Sequence, residues 1–557
     1  MNAQATTLIA GDVRFTDASL TALVKTDGVE AAWRQALASD PVIAVTKVQG
    51  SFAVGIQLSE GRVFLAVDRF AIQSMCYRLV DGQLRYAARA DELADSADGA
   101  ELDPQAIYDY LYFHVIPSPR TIFKNVFRLP PGHYALFANG QLTIAPYWVP
   151  DFTVARSGSF DALRDEFRQT LQTAVRDQLD GGRPACFLSG GTDSSTVAGM
   201  IGLAAGQPAA TYSIGFDAEE YDEMAFARIA ARHFKAEHHE YYVTPADLVS
   251  AIPMVAAHYD QPFGNSSALP AYYCAKMARE DGVTKLMAGD GGDELFGGNT
   301  RYAKQKVFGY YDAIPAALRS AVMEPVSTLG LVNRIPLVRK AASYVRQARV
   351  PMPDRLQTYN LLEHLGLNAV LSPQFLQSVD SDAPHRQQRE VWSQARAPHL
   401  VNRMLAFDWR YTLAETDLPK VCGTTQLAGV GVGFPMLDDR LLDFSLRLPT
   451  DYKLKGLKLR WFFKEALRGF LPDEIITKKK QGFGLPFGVW LTRDAALLRL
   501  ASDAVDALVA RGLVRAEFGH SLLNEYLREH PGYYGEMIWI LTMLEHWLRK
   551  HAPNWKL

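Results

Sequence analysis

The stretch from residue 184 to 201 constrains the fold of this 557-residue chain more than any other. An apolar run, Ala185-Cys186-Phe187-Leu188, breaks into Ser189-Gly190-Gly191-Thr192-Asp193-Ser194, and an apolar segment then follows. This order predicts a buried strand, a tight turn and the start of a helix. Two consecutive glycines let backbone amides approach a ligand, and a helix N-terminus offers unsatisfied amides and a positive dipole end. The turn therefore suits a phosphate group, although it matches neither the Walker A nor the dinucleotide-binding pattern.

The size and charge of the chain narrow the possible classes of protein. A length of 557 residues exceeds what one hydrophobic core supports, so two or more domains are expected. The net charge of -3 gives no electrostatic footprint for nucleic acid or for an anionic membrane. The four cysteines lie too far apart for a zinc site or a disulfide framework. With neither a leader peptide nor a long apolar run, the sequence predicts a cytoplasmic protein with no membrane partner.

Two kinds of pattern divide the chain into two predicted domains. Residues 1–152 contain short β-rich runs separated by turn residues, which is typical of an antiparallel sheet. In residues 160–557 strands first alternate with helices, and from about Ala303 the pattern is mainly helical. The alternation predicts a parallel sheet with helices on both faces and a ligand site at the carboxyl ends of its strands. The predicted fold class is therefore α/β.

A second glycine-rich loop carries the residues expected to hold a metal ion. The predicted strand Lys285-Leu286-Met287-Ala288 runs into Gly289-Asp290-Gly291-Gly292-Asp293-Glu294. Asp193 and Asp293 are hard oxygen ligands suited to Mg²⁺, which takes few protein carboxylates and completes its shell with water and phosphate. Either aspartate alone could merely cap a helix. Together, at the ends of two predicted parallel strands, they indicate a site for a nucleotide with Mg²⁺.

The third segment is Lys478-Lys479-Lys480-Gln481-Gly482-Phe483-Gly484, in which a run of lysines meets a glycine-rich turn. A charge run is usually a solvated face, but the Gly-Phe-Gly turn favours a defined loop. One of the three lysines is expected to face phosphate. Periodicity alone does not select which one.

These three motifs together resemble the synthetase half of glutamine-dependent asparagine synthetases and their relatives, which include β-lactam synthetase, carbapenam synthetase and the lasso-peptide cyclases. Two further segments, Asp68-Arg69-Phe70-Ala71-Ile72 and Arg128-Leu129-Pro130-Pro131-Gly132-His133-Tyr134, are similar to landmarks of the family's N-terminal domain. The resemblance therefore covers nearly the whole chain. It implies an N-terminal Ntn-hydrolase-like antiparallel β-sandwich of the glutaminase type and a C-terminal pyrophosphatase-loop synthetase domain.

The resemblance also implies roles for individual residues. Asp290 would orient the attacking amine or accept its proton, with a loop hydrogen bond as the alternative, and Lys480 would stabilise charge on the phosphates or on the tetrahedral intermediate. Asp193 and Asp293 would hold Mg²⁺. The residues implied to contact ATP are Ser189, Gly190, Gly191, Thr192, Asp193, Ser194, Ile214, Gly215 and Gly289.

The N-terminal region departs from the family at its nucleophile. Working glutaminases of this family expose a cysteine directly after the initiator methionine, because its thiolate and α-amino group form the nucleophile–base unit. Here Asn2 occupies that position. Cys76 lies inside a predicted strand, where a buried apolar thiol is expected. The sequence therefore predicts an inactive glutaminase domain.

The segment that corresponds to the family's substrate pocket also differs from the family pattern. Where asparagine synthetases carry charged residues, this chain has small ones from Gly429 to Gly433. The absence of those charged residues removes charge-assisted contacts suited to a small zwitterion such as aspartate. Glycines are expected to widen the site or to let a peptide-like backbone approach. Gln261 and Asn265, where relatives often carry charge, point to the same difference.

The predicted function is an ATP- and Mg²⁺-dependent, AMP-forming ligase that joins a carboxylate substrate to an amine nucleophile without using glutamine. A lasso-peptide-type macrolactam cyclase, acting with a precursor peptide or a pathway protein, and a small-molecule amide or lactam synthetase both fit. One alternative is an asparagine synthetase fed by free ammonia. Another is a non-catalytic binding protein, which the presence of Asp193, Asp293 and Lys480 disfavours. The carboxylate, the amine and the oligomeric state stay open.

Overall fold

The N-terminal part of the chain is built on antiparallel strands. The computed structural model describes residues 7–94, 101–155, 157–218, 220–312, 314–315, 344–479 and 484–557. The strands of this part are β1 (Thr7–Phe15), β2 (Val48–Ser59), β3 (Arg62–Val67), β4 (Cys76–Val80), β5 (Gln83–Ala87), β6 (Phe127–Arg128), β7 (His133–Ala138) and β8 (Gln141–Pro146). One sheet has the order β1-β2-β3-β7-β8 and a second has the order β5-β4-β6. The sheets pack closely, since a Cβ atom on Gly55 would lie only 2.6 Å from the ring of Tyr86.

A long helix, α1 (Ala18–Leu37), packs on the first sheet, in a segment for which the sequence pattern named no element. It begins after Asp17, whose carboxylate accepts hydrogen bonds from two backbone amides of the first turn. At Gly28 the helix kinks, with φ of 90°. Beyond the kink Trp33 is buried against Phe52 of the sheet.

The C-terminal part contains a parallel sheet, as the alternating pattern predicted. Its strands are β9 (Ala185–Phe187), β10 (Ala210–Phe216), β11 (Glu237–Val243), β12 (Lys285–Met287) and β13 (Gly431–Gly433), in the order β11-β10-β9-β12-β13. Each adjacent pair is parallel. The chain proceeds outward from β9 in one direction and returns through β12 on the other side, so the sheet has its switch point between β9 and β12. The predicted α/β fold class is confirmed.

Helices cover this sheet and form most of the chain beyond it. The remaining helices up to residue 312 are α2 (Pro41–Thr46), α3 (Pro104–Phe113), α4 (Phe160–Asp177), α5 (Thr192–Ala205), α6 (Met224–Phe234), α7 (Pro245–His258), α8 (Ala268–Glu280), α9 (Gly292–Phe296) and α10 (Thr300–Asp312). After residue 344 they are α11 (Leu361–Leu365), α12 (Leu367–Val370), α13 (Pro373–Gln377), α14 (Ala383–Gln394), α15 (Leu400–Asp408), α16 (Leu418–Ala428), α17 (Asp439–Arg447), α18 (Thr450–Lys453), α19 (Trp461–Ala466), α20 (Asp473–Thr477), α21 (Phe487–Leu491), α22 (Ala495–Ala510), α23 (Ala516–Ser521), α24 (Leu527–Glu529) and α25 (Pro531–His551).

Short irregular elements complete this part of the fold. The segments Trp409–Asp417 and Leu522–Tyr526 are π-helical, and Asp354–Gln357 and Pro435–Leu437 are 3₁₀-helical. A two-stranded ribbon joins β14 (Leu454–Lys455) to β15 (Lys458–Leu459). Helix α25 is central to the core, because most of its residues from Met537 to Leu548 are buried. Across the residues that the structure describes, no helix is both long enough and apolar enough to cross a membrane.

Ion pairs hold the N-terminal strands against the C-terminal part. Arg69 binds the carboxylate of Asp439, and the backbone amide of Gly50 donates to Asp439 Oδ2 at 2.7 Å. Asp68, in the same turn as Arg69, is buried and accepts hydrogen bonds from four backbone amides; burial raises the pKa of its carboxyl to about 6. The family-like segment at 68–72 therefore forms an interface between the two parts of the chain.

Candidate functional site

The loop after β9 has the geometry of a phosphate-binding turn. Gly191 precedes the first turn of α5, and the backbone amide of Ser189 donates to Ser194 Oγ at 3.1 Å. Gly190 has φ of 70°, and a Cβ atom there would overlap the backbone nitrogen of Ala227. Both features require a residue without a side chain. The N-terminal amides of α5 thus remain close to an open turn, where an anion is stabilised by the helix dipole.

The loop after β12 packs directly onto this turn. A Cβ atom on Gly289 would lie 2.8 Å from the backbone nitrogen of Ser194. Gly291 has φ of 100°, and a side chain on Gly292 would overlap the carboxylate of Asp193. The glycines of the second motif therefore allow Asp193 and Asp293 to lie close together. In the sequence these two aspartates follow different predicted strands.

A single guanidinium group lies between these two aspartates. Arg460 Nη1 is 2.9 Å from Asp193 Oδ2 and 2.6 Å from Asp293 Oδ1, and it donates to Thr192 Oγ1 at 2.9 Å. Arg460 is 5% exposed and stacks its guanidinium on the ring of Phe463 at 4.1 Å. Although burial alone would lower the pKa of Arg460, Asp193 and Asp293 raise it. Sequence reasoning missed this residue, because it lies far from both motifs and no pattern marks it.

The convergence of two carboxylates on one cationic group is the test of fit for Mg²⁺. Both aspartates present oxygen ligands to the same positively charged atom, as a bound divalent cation would require. Within the described ranges, no group of three or more His, Cys, Asp or Glu side chains could hold a metal ion. Two carboxylates with the remaining ligands from water and phosphate are the arrangement that Mg²⁺ prefers with nucleotides. The residues therefore fit this ion.

Among the three lysines of the third motif, Lys478 is the one that the structure shows in contact with the phosphate-binding turn. Its Nζ lies 2.8 Å from Glu223 Oε1 and donates to the carbonyl of Gly190 at 3.5 Å. The ammonium also lies 4.5 Å from the centre of the Phe226 ring. Lys479 is exposed, and Lys480, predicted to act on the phosphates, lies outside the described residues.

Ile214 and Gly215, predicted to lie beside the adenine, are in the last part of β10. Ile214 is buried, and a Cβ atom on Gly215 would lie 2.5 Å from the ring of Tyr242 on the neighbouring strand. Ser213, just before them, donates its hydroxyl to the carbonyl of Leu188 at the start of the phosphate-binding turn. The strand and the turn are thus directly connected.

Asp290, in the glycine-rich loop after β12, belongs to a cluster of three charges. Lys420 Nζ is 3.4 Å from Asp290 Oδ1 and 3.0 Å from Asp417 Oδ1. Burial raises the pKa of Asp290, and the negative charge of Asp417 raises it further, whereas Lys420 opposes the shift. Asp417 and Lys420 were missed by sequence reasoning. Three titratable groups in a partly buried cluster are what proton transfer requires.

The π-helix Trp409–Asp417 connects this cluster to the N-terminal part. Asp417 is its last residue, and the buried Glu415 accepts a hydrogen bond from Arg128 at 3.0 Å and another from the hydroxyl of Ser118 at 2.7 Å. π-helical segments occur often at functional sites. The second family-like segment, which begins at Arg128, therefore holds the element that presents Asp417.

The structure corrects the interpretation of the glycines from 429 to 433. Gly431–Gly433 is strand β13, paired with β12, and a Cβ atom on Gly433 would lie 2.5 Å from Gln178 Oε1. Gly429 has φ of 75° and ends α16. These glycines make a tight edge strand and a helix end, so they do not widen the site as expected.

Gln261 and Asn265 make hydrogen bonds within the protein. Gln261 is buried, and in the amide orientation that satisfies both of its polar atoms Oε1 accepts from the Arg128 guanidinium at 3.2 and 3.3 Å. Asn265 Oδ1 accepts from the backbone amide of Ser267, which stands just before α8. The expected loss of charge in the substrate pocket stays a prediction.

Cys76 is fully buried at the start of β4, and burial raises the pKa of its thiol. It is the only cysteine in residues 1–152. An unreactive thiol is expected in such surroundings.

Comparison with known proteins gives two family matches. The family described as Asparagine synthase matches residues 166–549, and the one described as Glutamine amidotransferase domain matches residues 36–148. The asparagine synthetase (glutamine-hydrolyzing) 1 of Bacillus subtilis is 24% identical over 456 residues, which are 81% of this chain and 70% of the relative. A putative asparagine synthetase (glutamine-hydrolyzing) of Mycobacterium bovis is 26% identical over 517 residues, 90% of this chain and 76% of the relative. Amidase chyE of Penicillium rubens is 24% identical over 493 residues, 80% of this chain and 71% of the relative.

Proposed function

Because this chain belongs to the asparagine synthase family and is thereby an ATP-dependent ligase that forms carbon–nitrogen bonds, we propose that it adenylates a carboxylate and couples it to an amine without glutamine. The observation that carries the proposal is the meeting of Asp193 and Asp293 on one guanidinium nitrogen, beside a phosphate-binding turn. A site with that geometry is suited to the triphosphate of ATP.

The activation step uses the two loops. Asp193 and Asp293 would hold Mg²⁺, which would supply charge neutralisation for the phosphates. The substrate carboxylate attacks the α-phosphorus, the bond to the β,γ-pyrophosphate breaks, and an acyl-adenylate remains. The turn from Ser189 to Ser194 offers amides and hydroxyls to the departing pyrophosphate, while Arg460 and Lys478 lie within reach of added negative charge.

The transfer step uses the Asp290 cluster. The neutral amine attacks the acyl carbon, AMP leaves, and the amine nitrogen gives up one proton. Asp290, whose pKa is raised by burial, accepts that proton more readily than an ordinary carboxylate. Lys420 stabilises the two carboxylates before transfer, since it contacts both Asp290 and Asp417.

Independence from glutamine is supported by the N-terminal part. Hydrolysis of glutamine by a cysteine nucleophile needs an accessible thiolate. The one cysteine in residues 1–152 is Cys76, which is buried with a raised thiol pKa. The amine is therefore expected to enter as a substrate, carried by a small molecule or a peptide; a lasso-type cyclase acting on a precursor peptide is one such case. We place this chemistry in the cytoplasm, where ATP is available.

The second candidate is an asparagine synthetase that uses free ammonia. The names of the relatives from Bacillus subtilis and Mycobacterium bovis favour it. In that reaction the carboxylate would be the side chain of aspartate.

Isotope exchange between pyrophosphate and ATP, measured with a panel of free amino acids and of peptides that carry Asp or Glu, tests the proposal. We expect exchange that depends on one class of carboxylate, and AMP formation that then depends on an added amine. No glutamate should be released from glutamine. Formation of asparagine from aspartate and ammonium would favour the second candidate, and glutamate release would overturn glutamine independence.

A further inference from the structure

A cavity of about 570 Å³ lies between the N-terminal part and the C-terminal helices. Its wall includes residues of α3, of α15 with the following π-helix, and of α25. The aromatic residues that line it are Tyr112, Phe113, Tyr359, Phe407, Tyr411 and Tyr533. A cavity of this size holds a ligand much larger than ammonia or a single water molecule.

The cavity borders the proposed transfer site. Thr416 lines it, and the next residue in the chain is Asp417, which contacts Lys420 and through it Asp290. Gly532 lines it as well, and a Cβ atom on Gly532 would lie 3.2 Å from the hydroxyl of Tyr221 in the loop after β10. The cavity therefore borders both the π-helix that ends in Asp417 and a residue packed near the loop after β10.

An acidic side chain, Glu536, lies on the cavity wall. It is 40% exposed, and the nearest basic group among the described residues is His114, 3.9 Å away. Burial lowers the pKa of His114 to about 4, so its ring is neutral at pH 7. Among the described residues no lysine or arginine lies within ion-pair distance of Glu536. Arg301, the cation on the wall, is bound by Asp408.

The wall also contains polar groups that lack a hydrogen-bond partner. In the part of the chain that the structure describes, both amide atoms of Gln388 and the hydroxyls of Tyr112 and Tyr411 are unpartnered. Gln388 is 1% exposed. Unpaired buried polar groups are costly, so this wall is less well satisfied than an ordinary protein interior.

We propose that this cavity binds the amine substrate, as an ammonium group against Glu536 attached to an aromatic or aliphatic body that packs on the surrounding rings. The inference rests on the proposed function and names the class of its amine: an organic amine or peptide N-terminus, not ammonia. Residues 112–115 line the cavity, so the N-terminal part contributes to substrate binding in place of glutamine hydrolysis. A charge-assisted hydrogen bond between an ammonium group and a carboxylate is stronger than one between neutral groups.

Calorimetric titration of the full-length protein with L-phenylalaninamide and with its N-acetyl derivative tests this assignment. The two probes share the aromatic body and differ in the ammonium group. We expect the wild-type protein to bind the free amine at least about tenfold more tightly, and E536Q to bind both probes alike. E529Q, in which an exposed carboxylate of neighbouring α24 is neutralised, should keep the preference.

Two outcomes would overturn the inference: a wild-type protein that binds both probes equally or binds neither, and an E536Q variant that keeps the preference. E536D, which retains the charge on a shorter chain, should retain part of the preference and guards against a general loss of structure. Pyrophosphate exchange is measured in parallel. Absent exchange with an intact preference for the amine would reject the proposed function and leave the cavity assignment standing.

Discussion

The two glycine-rich loops that carry Asp193 and Asp293 differ from the cavity that contains Glu536 in whether their carboxylates have a cationic partner. At the loops the carboxylates of Asp193 and Asp293 already contact the guanidinium of Arg460. At the cavity Glu536 has a neutral histidine as its nearest basic neighbour among the described residues. The first arrangement already contains a positive charge before any ligand arrives, whereas the second is proposed to receive one from the ligand. We therefore expect changes at the loops to affect nucleotide chemistry and changes at the cavity to affect the choice of amine.

The largest expected effect is at the loops. D293N removes one of the two carboxylates proposed to hold Mg²⁺, and we expect pyrophosphate exchange to fall by about a hundredfold or more. The exchange rate at saturating ATP is the measurement. D451N, an exposed aspartate of α18, is the matched control. Equal exchange rates for D293N and D451N would remove Asp293 from the site.

A substitution of Arg460 tests how much its positive charge stabilises the two neighbouring aspartates. R460M leaves two close carboxylates without their shared guanidinium, and loss of one member of a buried ion pair costs about 3–5 kcal/mol of stability. The midpoint of thermal unfolding should fall in the absence of ligands. Added Mg²⁺ should raise that midpoint more in R460M than in wild type, because the cation replaces the missing positive charge.

R447M, at an exposed arginine of α17, serves as the control for this experiment. If Mg²⁺ stabilised R460M, R447M and the wild type equally, the two aspartates would not form a cation site.

The smallest expected effect is the pH dependence caused by Glu536. Burial raises the pKa of its carboxyl to about 7, from 4.5 ordinarily, so the native state binds more protons than the unfolded chain between these values. The free energy of unfolding should therefore decrease as pH rises from about 4.5 to 7. Since water reaches this side chain, we expect a contribution of about 1 kcal/mol, which E536Q removes.

Denaturant titration at several pH values measures this slope. The groups that face Glu536 are His114 and Tyr110 of the N-terminal part and Tyr221 of the β10–α6 loop. Of these, His114 titrates nearby with the opposite sign, since its pKa is lowered, so the difference between wild type and E536Q is the informative quantity. Identical slopes would mean that the Glu536 carboxyl is not enclosed.

Much of the nucleotide site could be read from local sequence. Glycine pairs, an aspartate at a helix start and a preceding apolar run specify a strand, a turn and a helix within a dozen residues, because backbone conformation and capping are local properties. Arg460 and Asp417 could not be found in this way. Both come from segments distant in the chain, and no local pattern distinguishes either from an ordinary charged residue. Lys478 was one of three lysines among which the sequence did not choose.

At the glycines of 429–433 the sequence suggested a role in the substrate site that the packing does not support. A composition that indicated an open substrate site proved to be an edge strand against β12, where Gly433 packs beside Gln178. Small residues mark close approach, but the sequence does not say whether a ligand or another part of the chain approaches. Only the packing of the neighbours decides.

The sequence by itself determined the two kinds of sheet, the phosphate-binding turn at Ser189–Ser194 and the presence of an acidic second loop. The tertiary structure decided that β9 and β12 are neighbours, that one guanidinium joins Asp193 and Asp293, and that α3 and α25 enclose a cavity with Glu536 on its wall. The physical reason is the distance along the chain over which each interaction acts. Turns and caps depend on adjacent residues, whereas strand order, burial of charge and cavity shape depend on which distant segments the hydrophobic core brings into contact.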